Sequence, residues 1–256
     1  MIIAVGILAS AAPAAADVTV ERDLIYGRAD DDRGRDQRLR MDVHRPLTTP
    51  TSPRLPAIVW IHGGGFVHGH RRLMEPFVAY FARRGYVAAT IDYRLVPHYD
   101  LETPGRPPPV RAAQHDAQAA IRYLRRHARR LGIDRSRIYV AGSSAGAMTA
   151  LNVALHPDDP GVSGNPGRSS RVGAAVSVAG FAPVDAIGGD APPMLLLHGT
   201  ADRTIPFAWA QRTCELAMVS GAVCDLVTFP GAGHRLTWHR TEELARHAAD
   251  WLALQR

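Results

Sequence analysis

The chain has 256 residues, 46% hydrophobic and 21% charged, without a low-complexity tract or an internal repeat, which excludes a disordered or fibrous chain and suits one large globular domain. Formal net charge is +6, and all 30 basic residues are Arg. The absence of Lys marks a bias of composition rather than a basic binding surface, so nucleic acid is excluded as an expected partner.

Residues 1–16 read as an export signal: a short apolar run, then Ala14-Ala15-Ala16 before Asp17 in an A-x-A pattern. No Lys or Arg precedes the run, and a buried N-terminal segment is the alternative reading. The run is shorter than the about 20 apolar residues that span a bilayer. A secreted or periplasmic location without a membrane anchor is therefore expected, with residues 17–256 forming the folded domain.

"VTVERDLIYG" and "QRLRMDVHRP" predict two antiparallel strands around an Asp- and Arg-rich turn, whose acidic triplet Asp30 to Asp32 reads as a solvated hairpin tip. A Pro-rich connection leads to "AIVWIHGGG", an apolar strand that runs into a Gly loop. From there the pattern alternates. "LMEPFVAYFARRG" is helical, "YVAATIDYRL" a strand, and "VRAAQHDAQAAIRYLRRHARRLG" a helix. In that helix the Arg122 to Arg130 run reads as a solvated face. "RIYVAGS" is the next strand and "AGAMTALNVALH" the next helix; "VGAAVSVAGF" and "PPMLLLHGT" are strands. "FAWAQRTCELAMVSG" is helical, "VCDLVTFPG" a strand, and "TEELARHAADWLALQR" a closing amphipathic helix. This alternation predicts a single α/β domain with a mainly parallel sheet covered on both faces, its site beyond the carboxyl ends of the strands. The two cysteines, Cys214 on a predicted helix and Cys224 opening the next strand, suit a disulfide in an exported chain, with two buried free thiols as the alternative.

Three motifs fall where that architecture demands. Gly142-Ser143-Ser144-Ala145-Gly146 fits G-x-S-x-G between a strand and a helix, and the spacing selects Ser144 as nucleophile, with Ser143 a local hydrogen-bonding residue. A serine hydroxyl needs a base, and the base an orienting acid. Asp202 and His234 follow in the order acid, then base, each in a Gly-containing loop just past a strand. Asp190 is the weaker alternative acid, and Asp185 lies in the same loop. His198 reads as a structural group at a strand end, and His239 and His247 as surface residues. His62 to Phe66, "HGGGF", follows a strand and supplies backbone N–H groups of Gly64 and Gly65, joined by that of Ala145, as donors to an oxyanion. It lacks the G-x-G-x-x-G spacing of a dinucleotide loop.

With these residues in view, "HGGGFVHG", "ATIDYRL", "GIDRSRIYVAGSSAGA", "LLLHGTADRTIP" and "GAGH" resemble the α/β-hydrolase superfamily over nearly the whole chain after residue 16. More narrowly they resemble secreted carboxylesterases and feruloyl-esterase-like enzymes related to the hormone-sensitive-lipase group. The resemblance implies a serine esterase acting through an acyl-enzyme, with no metal or organic cofactor, on a small ester or a polymer-linked one. Short-chain or aryl esters are expected. About 40 residues precede the first oxyanion strand in the mature chain, so the cap carried by many relatives is expected to be small or absent. "VPHYDLETPGRPPPV" and "HPDDPGVSGNPGRSS" are the loops that would narrow the site, and Phe66, Tyr99, Trp209 and Trp238 the side chains that would line a pocket. A prolyl-oligopeptidase-type peptidase, a polyester depolymerase and a non-catalytic binding module on this fold are the alternatives.

Overall fold

The computed structural model describes residues 17–31, 33–47, 53–96, 108–182 and 187–255. The segment 1–16 expected as an export signal, Tyr99, Asp185 and most of the "VPHYDLETPGRPPPV" loop lie outside them. Strands β1 (Val18–Asp30), β2 (Asp36–Pro46), β3 (Leu55–Ile61), β4 (Val87–Ile91), β5 (Ile133–Ser143), β6 (Ala175–Val178), β7 (Met194–Gly199) and β8 (Cys224–Phe229) form one sheet in the order β1-β2-β4-β3-β5-β6-β7-β8. β2 runs antiparallel to both neighbours, and β4 through β8 pair in parallel. The expected mainly parallel α/β sheet is thus present, with the antiparallel pair at one edge. At the hairpin tip Asp31 takes the N–H groups of Arg33 and Arg35, and the Arg35 contacts hold its carboxyl down to about 2.

The helices are α1 (Glu75–Arg83), α2 (Pro109–Arg126), α3 (Ala128–Leu131), α4 (Ala145–Leu155), α5 (Phe207–Val219), α6 (Leu236–His239) and α7 (Thr241–Leu252). Alternation along the strands splits the core in two. Val59 and Ile61 of β3 face α2, α4 and α5, whereas Ile58 and Trp60 face α1 and α7. A strand buried on both faces has no polar side to show, which is why β3, β4, β6 and β7 read as continuous apolar runs.

Two expectations for the Arg-rich helix are corrected. It ends at Arg126, and His127, at φ −96° and ψ 14°, separates it from α3, after which Gly132 at φ 75° turns the chain into β5. Nor is the run simply a solvated face, because Arg122 is buried. Its guanidinium donates to the carbonyl of Pro160 at 2.6 Å and to that of Gly164 at 2.9 and 2.7 Å. The "HPDDPGVSGNPGRSS" loop therefore packs along α2, and Asn165 Nδ2 extends it to the Tyr26 carbonyl of β1 at 2.7 Å. A fork of donors can satisfy several loop carbonyls at once, which offsets burial of the charge.

Cys214 of α5 and Cys224 of β8 are joined in a disulfide with Cα atoms 5.1 Å apart. Reduction, or the double variant Cys214→Ser with Cys224→Ser, is expected to destabilise the domain by roughly 2–3 kcal/mol for so short a loop. Thermal melting with and without reductant checks this, and the midpoint should drop by several degrees.

Candidate active site

The order of the sheet reverses at β3: the chain leaves β3 for β4 on one side and returns as β5 on the other. The crevice at such a reversal lies beyond the carboxyl ends of adjacent strands. The Gly loop after β3 and the turn after β5 consequently meet there.

That turn is sharp. Ser144 has φ 54° and ψ −119°, a conformation costing about 1–3 kcal/mol for a residue with a side chain. The backbone is held by Ser144 N–H to the Val178 carbonyl of β6 at 2.9 Å, and by the Ser144 carbonyl, which takes the N–H groups of Ala147 and Met148. No side chain fits on either flank. A Cβ at Gly142 would lie 2.1 Å from the Gly146 carbonyl oxygen, and one at Gly146 would lie 2.2 Å from that of Ile61. The two glycines let strand, turn and helix pass within contact distance, and Ser144 is pushed outward at the start of α4.

The other two motif residues reach the same hydroxyl. His234 Nε2 is 2.9 Å from Ser144 Oγ, and His234 Nδ1 is 2.8 Å from Asp202 Oδ2. Asp202 Oδ1 accepts the N–H groups of Thr204 and Ile205, each at 2.9 Å. With Nδ1 donating to the carboxylate, Nε2 is left as the acceptor for the Ser144 O–H. The two supporting loops are clasped to each other. Thr200 N–H donates to the Phe229 carbonyl, Ala201 N–H to that of Ala232, and Gly231 N–H to Thr200 Oγ1. Their relative position is thereby set by backbone groups and the Thr200 hydroxyl rather than by the Asp202 and His234 side chains they present.

Gly64 at φ 123° and Gly65 at φ 60° turn the loop after β3, and the Gly64 carbonyl takes the N–H groups of Val67 and His68. A Cβ on Gly64 would lie 2.0 Å from the His68 carbonyl oxygen, so only Gly fits this turn. Among the described residues the N–H groups of Gly64 and Gly65 have no acceptor, and that of Ala145 opens α4, where an intrahelical partner is absent by geometry. The helix start adds a partial positive charge at Ala145.

The loop returns to the sheet at Arg71. Its N–H donates to Asp92 at 2.7 Å and its Nε to the buried Asp42 at 2.8 Å, and its guanidinium also engages Asp23 and the side chain of Asp92. Burial works to raise the Asp42 carboxyl, but the Asp23 N–H and Arg71 hold it below the usual carboxylate range. A depressed carboxyl contributes stability above its ordinary value and loses it as pH falls. The melting temperature should therefore decline from about pH 5 to about pH 3, and less steeply in Asp42→Asn.

The remaining expected residues are placed unequally. Ser143 Oγ lies 3.4 Å from Thr237 Oγ1 of α6, a partner other than His234. Phe66 packs edge-on to Tyr93, whose ring also stacks on His62. Trp209 is half exposed and meets Phe181 edge to face at 4.7 Å; Trp238 stands exposed on α6. Phe181, three residues past the carbonyl that anchors Ser144, was not anticipated, although it ends the predicted strand "VGAAVSVAGF" and a place near the end of an element is the signal that singled out Phe66. Asp190 is exposed in the turn before β7 and is not the carboxylate that His234 meets. His198 is fully buried at the end of β7; His239 is exposed. His247, expected at the surface, is partly exposed and sets its ring against Phe229. Among the described residues no cluster of His, Cys, Asp or Glu is arranged for a metal ion, and no helix is long and apolar enough to cross a membrane.

A family model described as BD-FAE matches residues 41–185 of the chain. Esterase LipC of Mycobacterium tuberculosis is 28% identical over 244 residues, covering 78% of this chain. The chain spans only 58% of the length of LipC. Among solved structures, Thermogutta terrifontis esterase 2 phosphonylated by cyclosarin superimposes with a TM-score of 0.78 at 28% identity, covering 94% of each chain. The butyrate-bound form of the same esterase gives 0.78 at 26% identity over 95% of each chain.

Proposed function

We infer that this chain, which belongs to the BD-FAE family and has the α/β-hydrolase fold, hydrolyses carboxylic esters through an acyl-enzyme on Ser144. The observation that carries the reading is the unbroken hydrogen-bonded path from Asp202 through His234 to Ser144 Oγ. In this mechanism Ser144 Oγ attacks the ester carbonyl as His234 Nε2 takes its proton. The new oxyanion lies against the N–H groups of Gly64, Gly65 and Ala145. Collapse expels the alcohol, which receives the proton from His234, and water then repeats the sequence on the acyl group. Each oxyanion donor contributes about 2.7–4 kcal/mol to the transition state. Asp202 offsets the positive charge that His234 carries midway.

Short-chain or aryl esters are the proposed substrates, small or polymer-linked. The short-chain reading is supported by the butyrate bound to Thermogutta terrifontis esterase 2, and the aryl reading by the half-exposed Trp209–Phe181 pair. We further propose export, on the strength of the apolar run before Asp17 and the Cys214–Cys224 bridge, since such bonds persist in oxidising compartments. The test is a burst experiment with para-nitrophenyl esters of graded acyl length, with and without a phosphonate. A burst equal to the enzyme concentration, lost as Ser144 becomes labelled, is expected. A folded protein that neither turns over esters nor takes the label would sink the reading. Proline-containing peptides in parallel distinguish a peptidase.

A further inference from the structure

His198 is the penultimate residue of β7, with its side chain fully buried beside the Asp202 loop. Its Nε2 lies 3.0 Å from the carbonyl oxygen of Ile205 and 3.3 Å from Asp202 Oδ2. Both neighbours are acceptors within 3.3 Å, whereas Nδ1 has no hydrogen-bond partner among the described residues and the Gly180 carbonyl acts on the ring only weakly, so Nε2 carries the proton; the other tautomer would set a buried lone pair against two oxygens. Asp202 Oδ2 is also the oxygen that receives His234 Nδ1 at 2.8 Å, and it therefore sits between two imidazoles. Ile205 closes the arrangement, because its N–H holds Asp202 Oδ1 while its carbonyl holds His198.

We propose that His198 is a positioning residue for Asp202. Its Nε2–H fixes the turn from Asp202 to Ile205 through the Ile205 carbonyl, and it lays the positive end of an N–H dipole beside Oδ2. The carboxylate is thereby kept in the one orientation that faces His234. The inference rests on the reading of Ser144 and His234 given above. Burial pushes the His198 imidazole below its ordinary value, which suits a neutral donor. A neutral donor leaves the negative charge of Asp202 available to the His234 imidazolium, for which a cation at this position would compete. A group displaced by about 1 Å can cost about 100-fold in rate even when it lies away from the reacting atoms.

A packing role is the competing explanation, since the ring also lies 6.0 Å from that of Phe207. Three variants of the full chain separate the two. His198→Gln places an amide N–H near Nε2, His198→Asn places one near Nδ1 where it reaches neither acceptor, and His198→Phe keeps the ring without a donor. Positioning predicts that Phe and Asn lower kcat by about 10–100-fold with KM little changed, slow phosphonate labelling of Ser144 in parallel, and that Gln restores most of the rate. Phe retaining the parent kcat, or Gln and Asn losing rate equally while folded, would overturn the proposal. If Phe does not fold, the Gln and Asn pair decides. The parent enzyme is the control: its failure to take the label would remove the serine mechanism itself, and this proposal with it.

Discussion

Ser144→Ala should lower kcat by about 10⁶-fold with the melting temperature nearly unchanged. The hydroxyl has one role in the site, its 2.9 Å contact with His234 Nε2. The turn that presents it is held by backbone groups, Ser144 N–H to Val178 and the Ser144 carbonyl to Ala147 and Met148, and these survive the substitution. Ala also bears the same φ 54° strain as Ser, so the native and variant folds differ by little more than one oxygen. The oxyanion donors remain, and a residual of about 10³–10⁴ over the uncatalysed reaction is the ceiling for what they retain without a nucleophile. Steady-state rates on a para-nitrophenyl ester, measured beside a melting curve and a labelling assay, check the expectation. Full activity in a folded variant would transfer the nucleophile elsewhere, and Ser143, turned toward Thr237, is poorly aimed to take it.

What sequence disclosed about this site follows from how local the cause is. The turn at Ser144 is dictated by two glycines within five residues, so a short motif suffices to find it. The order of Ser, Asp and His depends only on strand succession, and strands buried on both faces announce themselves as apolar runs. Arg122 was misread because its partners, the carbonyls of Pro160 and Gly164, lie far along the chain and carry no side-chain signal. A helical Arg followed by more Arg reads as solvated until the loop that covers it is known. The tie between His198 and Asp202 escaped for a similar reason: four residues apart outside a helix, they meet only because the turn to Ile205 folds back on the strand end. The aromatic side chains were half legible. A place near the end of a predicted element marked Phe66 and Trp209, but only packing distinguishes Phe66, edge-on to Tyr93, from the more exposed Trp209 against Phe181.

Asp202→Asn is expected to reduce kcat by about 10⁴-fold, equivalent to about 5.5 kcal/mol of transition-state stabilisation, in a protein that still folds. The amide has one acceptor to place where the carboxylate had two. If its oxygen stays at the Oδ1 position, it keeps the N–H groups of Thr204 and Ile205. Its NH₂ then occupies the Oδ2 position, facing both the His234 Nδ1–H and the His198 Nε2–H. His234 escapes that clash by moving its proton to Nε2, the tautomer that cannot accept from Ser144. The flipped amide would preserve His234 but would set NH₂ against two backbone donors, leaving each unmet at a cost of about 1–3 kcal/mol. Two backbone bonds outweigh one imidazole bond, so the turn selects the inactive tautomer. Asp202→Ala provides the contrast: it loses the rate and both turn bonds, and should melt lower than Asp202→Asn. Equal melting temperatures for the two variants would show that the turn is held without the side chain, and the tautomer would then be free to favour activity.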